Sequence, residues 1–461
     1  MADLRQRRPA PAPATDEQEP TTPINQPEAT KPQPTWQWSR YETWPAFYRF
    51  APAIAILAIL ASILWWDNNM VEYGLDMRTY ASCSGSFNYT FRINAVRAQA
   101  ELYSLRSWEI GTAAEAIMEV MNPEKSVFAP EPFPRGEVPK QGWKFDEGLV
   151  WMYQFIDTQN ATLFPQDGFS AADPASLGVA AVMVGRTRSA YMEAAERQKE
   201  YLLQDAPRYI NSAISHRRDA TELWADAISM FPPFLAYYGV HKQDLALVKE
   251  AVRQIQLYRD VLSISKGPTE GLWKHIHGPP GEKNMNDPGA WSTGNGWAAY
   301  GMARTRATIS GWKASNESMR AQVTQLDRWI GEILDGAIRT DDDVESGLLR
   351  NYLGQSSWFG ETSGTALLTA TVYRMAVLNP TVFAKPRYLD WANAKRANVA
   401  ARVDEDGFAK PAVNPHKHSS REPVSETAEG ASFLLMMGAA WRDCICKGVC
   451  DPAEQGQVDY A

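Results

Sequence analysis

Residues 271–297 read GLWKHIHGPPGEKNMNDPGAWSTGNGW, and their layout decides the fold. A turn-and-strand opening carries Trp273 and His275, a polar Pro/Gly-rich loop follows, and WSTGNGW enters a helix. Trp291 and Trp297 bracket small residues that let backbone and ligand approach closely. A flat, amphipathic surface with a few polar tips suits a sugar ring. The layout recurs at 347–368 (GLLRNYLGQSSWFGETSGTALL) and at 406–437 (DGFAKPAVNPHKHSSREPVSETAEGASFLLMM). ETSGTALL (361–368) and ETAEGASFLL (426–435) are related. A spacing of about 60 to 75 residues is too long for one helix pair of a short solenoid repeat. It fits two long helices and one elaborate loop per repeat, with the loops gathered into a binding face.

From about residue 95 the apolar residues fall at helical spacing, in 94–122, 175–203, 320–338 and seven further stretches, among them 144–158, 221–238 and 291–310. At least ten helices are predicted. The only extended pieces are short, near Leu272 and Leu348. Helix–loop–helix units with loops of one style predict a closed ring of helical hairpins rather than an open solenoid.

The chain has 461 residues, 44% hydrophobic and 22% charged, enough for one large core. Its 46 basic and 54 acidic residues give a net charge of -8, which excludes a basic nucleic-acid face. Seventeen tryptophans weigh toward carbohydrate contact, although packing accounts for most of them. No protein partner is evident.

Residues 1–45 are poor in apolar residues and read as a disordered cytoplasmic tail. The apolar run 51–66, APAIAILAILASILWW, reaches about 20 residues with Phe47, Tyr48 and Phe50. It predicts a transmembrane signal-anchor over 46–67. Arg5, Arg7, Arg8, Arg40 and Arg49 before it and Asp67 after it predict a single-pass protein with its N-terminus inside. A juxtamembrane segment (68–94), the helical domain (95–445) and a C-terminal tail (446–461) follow, the domain being lumenal or extracellular. The sequons at Asn88, Asn160 and Asn316 are consistent with that side. So are four cysteines, which in an oxidising compartment form disulfides rather than a zinc site. In a closed ring the chain ends meet, so Cys83 is predicted to bond one of Cys444, Cys446 and Cys450, the other two pairing locally through Cys450.

Asp226 is the leading candidate for chemistry. It lies in TELWADAISMFPPFLAYYG, between Trp224 and Met230 on an otherwise apolar stretch. A carboxylate there is either paired or has a raised pKa, and a raised pKa makes a general acid. A capping or ion-paired Asp would satisfy the same pattern. Asp146 and Glu147 are acids flanked by aromatics near a helix start, where a stabilising charge is equally at home. His275 and His277 could bond a ligand; His416 and His418 lie in a polar loop. Glu361 and Glu429 precede helices and suit caps. DDDVE (341–345) lacks the periodicity of a calcium loop. No metal cluster, phosphate loop or Ser/His/Asp context is visible, so no cofactor is expected.

WADAISM, GLWKHI, WSTGNGW and ETSGTALL, in this order, resemble the six-hairpin glycosidases of glycoside hydrolase family 105, the unsaturated rhamnogalacturonyl hydrolases. The resemblance spans about residues 95 to 445. It implies an all-α fold, an (α/α)6 barrel with its site in the loop funnel, preceded here by the tail and transmembrane helix. It implies release of an unsaturated uronic acid from pectin-derived (rhamnogalacturonan-type) oligosaccharides. Asp226 matches the catalytic acid of the Trp-x-Asp motif. That acid protonates the C4–C5 double bond and directs water onto C5, after which the hemiketal collapses. His275, Trp291 and Trp297 match residues lining the sugar subsite, and Trp224 and Asp146 are further candidates for substrate contact. At Thr293 the family typically has Arg, a planar fork suited to a carboxylate. A glycan-binding toroid without turnover and a glycosidase for saturated sugars are the alternatives.

Overall fold

The computed structural model describes residues 80–451 apart from 81, 141–145 and 282–283. These belong to the larger of two units in the chain, residues 71–461. Twelve helices build the ring: α1 Ile93–Tyr103, α2 Ser107–Met121, α3 Glu147–Met152, α4 Gly178–Gly185, α5 Ser189–Glu200, α6 Pro232–Lys242, α7 Leu245–Leu262, α8 Ser292–Gly311, α9 Arg320–Arg339, α10 Thr362–Leu378, α11 Pro386–Ala400 and α12 Ala428–Cys446. The even-numbered helices pack on one another in sequence, and α12 returns to α2 and closes the ring. Of these, α10 and α12 are buried around their whole circumference: every residue from Thr362 to Ala376 is buried, as is every residue from Ala428 to Ile445. The odd-numbered helices form the outer layer, and α7 and α9 bury one stripe each. The predicted all-α barrel of hairpins is therefore present.

Local chemistry sets the helix ends. Asp244 caps α7 by accepting from Ala246 N and Leu247 N, and Glu361 caps α10 by accepting from Ser363 N and Gly364 N. The single helix expected over 175–203 is broken at Gly185 into α4 and α5, which turns one run into two layers. The helix expected over 221–238 begins only at Pro232. The prolines start α6 but disfavour helix just before them, so Leu223–Trp224 is a short strand and Ala227–Met230 a single turn. Gly301 packs against the Ile228 backbone, where a Cβ would lie 2.2 Å from the carbonyl oxygen. The inner helices meet that closely only through such residues.

Both disulfide expectations hold: Cys83 bonds Cys446 across a separation of 363 residues, and Cys444 bonds Cys450. Tyr80 Oη also donates to Asp443 at 2.7 Å. The start of the described chain is thus fastened to α12.

One expectation is corrected. Among the described residues no helix is long and apolar enough to cross a membrane, so the transmembrane helix and the single-pass localisation are not supported. The predicted anchor, 46–67, lies outside the described residues. The sequence also shows where the inference was weak. The uninterrupted apolar run is 51–66, and extending it to spanning length counts through Arg49.

Candidate functional site

The loops at one end of the ring enclose a cavity of about 430 Å³. Trp108, Trp224, Trp291 and Trp297 supply apolar wall, and Asp167, Asp173, Asp226 and Glu429 supply acids. The sequence places these groups together through short β contacts. Strand β1 (Leu223–Trp224) pairs with β2 (Ile276–His277), so the Asp226 turn lies beside the GLWKHIH segment. Trp291 bridges to Tyr352, which joins the second layout to the first.

His275 sits behind the wall and is 1% exposed. Its Nε2 lies 3.5 Å from Asp226 Oδ2, and its Nδ1 lies 3.0 Å from Asp287 Oδ2. Burial pushes the imidazole down, but the two carboxylates outweigh it and raise its pKa. Burial likewise pushes Asp226 up, and the His275 charge outweighs that, so Asp226 lies below the usual carboxylate range. The raised pKa expected for Asp226 is therefore corrected: the pairing branch of the expectation applies, because a histidine 49 residues away in sequence faces it.

Asp173 takes the opposite state. It is 7% exposed, and burial, with the neighbouring Asp226 charge, raises it to about 7. Asp167 is also raised to about 7, by burial and by Asp173. His216 stacks on Trp224 with ring centroids 4.5 Å apart and lies 3.8 Å from Asp173. Burial lowers that histidine to about 4, so it is neutral there. The cavity thus holds one carboxylate kept ionised beside two acids that titrate near neutral pH.

The remaining predicted residues separate. Trp224, Trp291 and Trp297 line the cavity. The Trp291 indole N–H is committed to Asn351 Oδ1 (2.8 Å) and that of Trp224 to Glu222 Oε2 (2.8 Å), so these two rings meet the cavity through carbon. Thr293 is fully buried in the first turn of α8, without a hydrogen bond for its hydroxyl, and is absent from the cavity wall. Asp146 precedes α3, pairs with Lys125, and is likewise absent from it. Sequence reading missed Asp173, Asp167, Trp108 and His216, and gave Glu429 a capping role. Asp173 lies in AADPASLG, which reads as an ordinary turn; only the ring brings it to Asp226.

His275, Asp287 and His418 present ligand atoms within 4.8 Å of one another, the composition of a metal site. Each is already engaged: Tyr352 Oη donates to Asp287 and lies 2.8 Å from His418 Nδ1. The distances describe a hydrogen-bonded network holding His275 against Asp226.

Residues 151–438 match the family model described as Glycosyl Hydrolase Family 88. The chain belongs to Glycosyl Hydrolase Family 88. The unsaturated rhamnogalacturonyl hydrolase YesR of Bacillus subtilis (strain 168) is 25% identical over 246 residues, which cover 52% of this chain and 63% of that protein. Two solved structures show the fold alone. A family 105 glycoside hydrolase from C. acetobutylicum ATCC 824 has a TM-score of 0.57 at 13% identity, covering 73% of this chain and 93% of that one. A possible family 105 member from Klebsiella pneumoniae subsp. pneumoniae MGH 78578 has 0.58 at 15%, covering 76% and 92%. The family 105 resemblance read from the four motifs is thereby borne out alongside family 88 membership. The family match spans the loops carrying Asp173, Asp226, His275 and the Trp291–Trp297 pair.

Proposed function

We propose that this chain is a hydrolase that releases a terminal unsaturated uronic acid from pectin-derived oligosaccharides of the rhamnogalacturonan type. The observation that carries the reading is the pair of acids in one aromatic-walled cavity with pKa values pushed in opposite directions. Asp226 lies below the usual carboxylate range, and Asp173 is raised to about 7, so that it still holds a proton part of the time near neutral pH. Environments that push two carboxyls apart in pKa assign an acid and a base. Family membership and the similarity to YesR support the substrate class.

In this reading the sugar stacks on the tryptophan faces. Asp173 delivers its proton to C4 of the double bond. Asp226 takes a proton from the water that adds to C5. The double bond becomes a C4–H and a C5–OH, and the resulting hemiketal collapses with loss of the neighbouring sugar. Asp226 then carries a proton and Asp173 a charge, and transfer between them restores the starting state. His275, held by Asp287, keeps Asp226 ionised beforehand. This is vinyl ether hydration, so the separation rule for ordinary glycosidase carboxylates does not govern it.

The test is incubation with unsaturated pectin disaccharides while following the ultraviolet absorbance of the double bond. Loss of absorbance with release of the second sugar supports the reading. Retained absorbance with measurable binding would leave a glycan-binding toroid. Turnover confined to saturated glycosides would also refute it.

A further inference from the structure

Glu429 is one of two cavity acids, with Asp167, that the reaction above does not use, and Asp167 is already satisfied by Ser107. It lies in the first turn of α12, is 2% exposed, and lines the cavity with Trp108, Trp297 and His416. Its Oε1 makes no hydrogen bond. Among the described residues no ion pair includes it. Buried acids elsewhere in this protein are treated differently. Glu119 pairs with Arg374 at 2.8 Å and Arg304 at 3.4 Å, Asp443 with Arg442 at 2.8 Å, and Glu222 with Arg217 at 3.1 Å. Glu361, next to Glu429 in the electrostatics, is saturated as a cap by Ser292 Oγ, Ser363 N and Gly364 N. Glu119 Oε1 also lacks a hydrogen bond but sits 3.4 Å from Arg304. Glu429, at the cavity wall, has neither a cation among the described residues nor a hydrogen-bond partner for its buried Oε1, and a buried polar atom calls for one.

Its charge state follows from its neighbours. Burial disfavours the anion, and Asp226, Glu361 and Glu109 add to that, while Trp297 donates a hydrogen bond in partial opposition. The helix N-terminus favours an anion only weakly, and burying an unpaired charge costs more than that. Glu429 therefore keeps its proton. It offers one O–H donor.

We propose that Glu429 is a substrate-binding group that donates its carboxylic O–H to the carboxylate of the bound uronide. The proposal rests on the uronide reading above and names the recognition element of that site. Among the described Arg and Lys side chains only Arg106 lines the cavity. Thr293, where the resemblance has an arginine, is buried away from the wall. An anionic sugar therefore needs further donors, and an uncharged acid is one that also avoids repelling it. A hydrogen bond to an ionised acceptor is roughly twice as strong as one to a hydroxyl.

Binding of an unsaturated uronide disaccharide and of its carboxyl methyl ester is titrated by tryptophan fluorescence in an Asp226→Asn background, which slows turnover by about a hundredfold or more, with readings taken before the double-bond absorbance falls. Glu429→Ala is expected to weaken the acid by about 10- to 100-fold, the range for a hydrogen bond to a charged group, and the ester by only a few-fold. Glu429→Gln, whose amide N–H can donate to the same oxygen, is expected to recover most of the loss. Thermal unfolding of each variant identifies any that fail to fold, and the near-isosteric Gln variant then decides. Equal weakening of acid and ester, unchanged affinity in Glu429→Ala, or a Gln variant as weak as Ala would overturn the proposal alone. No binding of either ligand to the background protein would sink the uronide reading and this proposal together.

Discussion

Asp173→Asn separates a catalytic acid from a structural one, because the two roles predict opposite changes in stability. An ordinary aspartate titrates at 3.8, and Asp173 is raised to about 7 by burial and by the Asp226 charge. That difference, at 1.36 kcal/mol per pH unit, amounts to roughly 4 kcal/mol. The sign follows from which state binds the proton. Between pH 3.8 and 7 the folded protein keeps the proton and the unfolded chain has lost it. The stability contributed by Asp173 is thus complete below 3.8, declines up to about pH 7, and is gone above it. Asparagine does not titrate and suffers no such decline. The variant is expected to match the parent near pH 4 and to exceed it at pH 8 by about 2–4 kcal/mol, the lower figure allowing for its coupling to Asp167 and Asp226.

Turnover moves the other way. Loss of a general acid costs about a hundredfold or more, and the alkaline limb near pH 7 in the parent's rate profile should vanish from the residual activity. Urea unfolding at pH 4 and pH 8, paired with the absorbance assay across the same range, measures both. A variant that is less stable than the parent at pH 8 and retains near-full activity would refute the assignment and the charge argument behind it.

Asp226→Asn should also lose at least about a hundredfold in turnover, with His275 titrating lower by NMR because a carboxylate that holds its proton is gone; full activity would remove Asp226 from the reaction. Trp297→Ala should weaken substrate binding, measured by KM or by titration, since it removes a sugar-facing ring and the donor to Glu429; a lowered melting temperature with unchanged KM would mean packing alone. Cys83→Ser opens a closure of 363 residues, and chain-entropy arguments give a loss of roughly 3–5 kcal/mol in chemical denaturation. An unchanged unfolding midpoint would show that the Tyr80–Asp443 bond and packing hold the ends without it.

The ring was legible because its signal is local and repeated. Each hairpin writes an apolar helical period and each loop ends in small residues, so α8, α10 and α12 could be read one at a time. The closure followed from helix–loop–helix units whose loops share one style, and a bond from Cys83 to one of the three C-terminal cysteines followed from closure. The site was legible only where one segment carries it, as with Trp291 and Trp297, or where a motif flags it, as with Asp226. Asp173 and His216 reach the cavity through separate loops; Asp173 sits in an ordinary turn, and His216, though eight residues before Trp224, shows no pattern of its own. The charge of Asp226 was misjudged for the same reason, since His275 arrives by the β1–β2 pairing and not by sequence neighbourhood. Thr293 and Asp146 erred in the other direction. Their surroundings read as a site, but helix phase turns Thr293 into the core, and Lys125 claims Asp146.

The distribution of buried acids explains why this barrel can host proton chemistry. Within the ring, Glu119, Arg374, Asp443, Arg442 and Arg304 bind one another, with Tyr300 donating to Glu119 at 2.5 Å. With Glu115, which pairs with Arg304, three acids and three arginines balance where α2, α8, α10 and α12 converge, and they fasten the inner helices in register. At the cavity the cations are withheld. Asp167, Asp173 and Glu429 have no ion pair with an Arg or Lys among the described residues, and burial raises the pKa of each. Asp226 alone receives a cation, and that cation is a histidine, whose proton can be lost near neutral pH. Pairing every cavity acid with arginine would stabilise the fold and fix all the protons. Leaving them unpaired costs stability, roughly 4 kcal/mol at Asp173 alone by the difference worked above, and in return keeps a proton donor and a proton acceptor within one cavity.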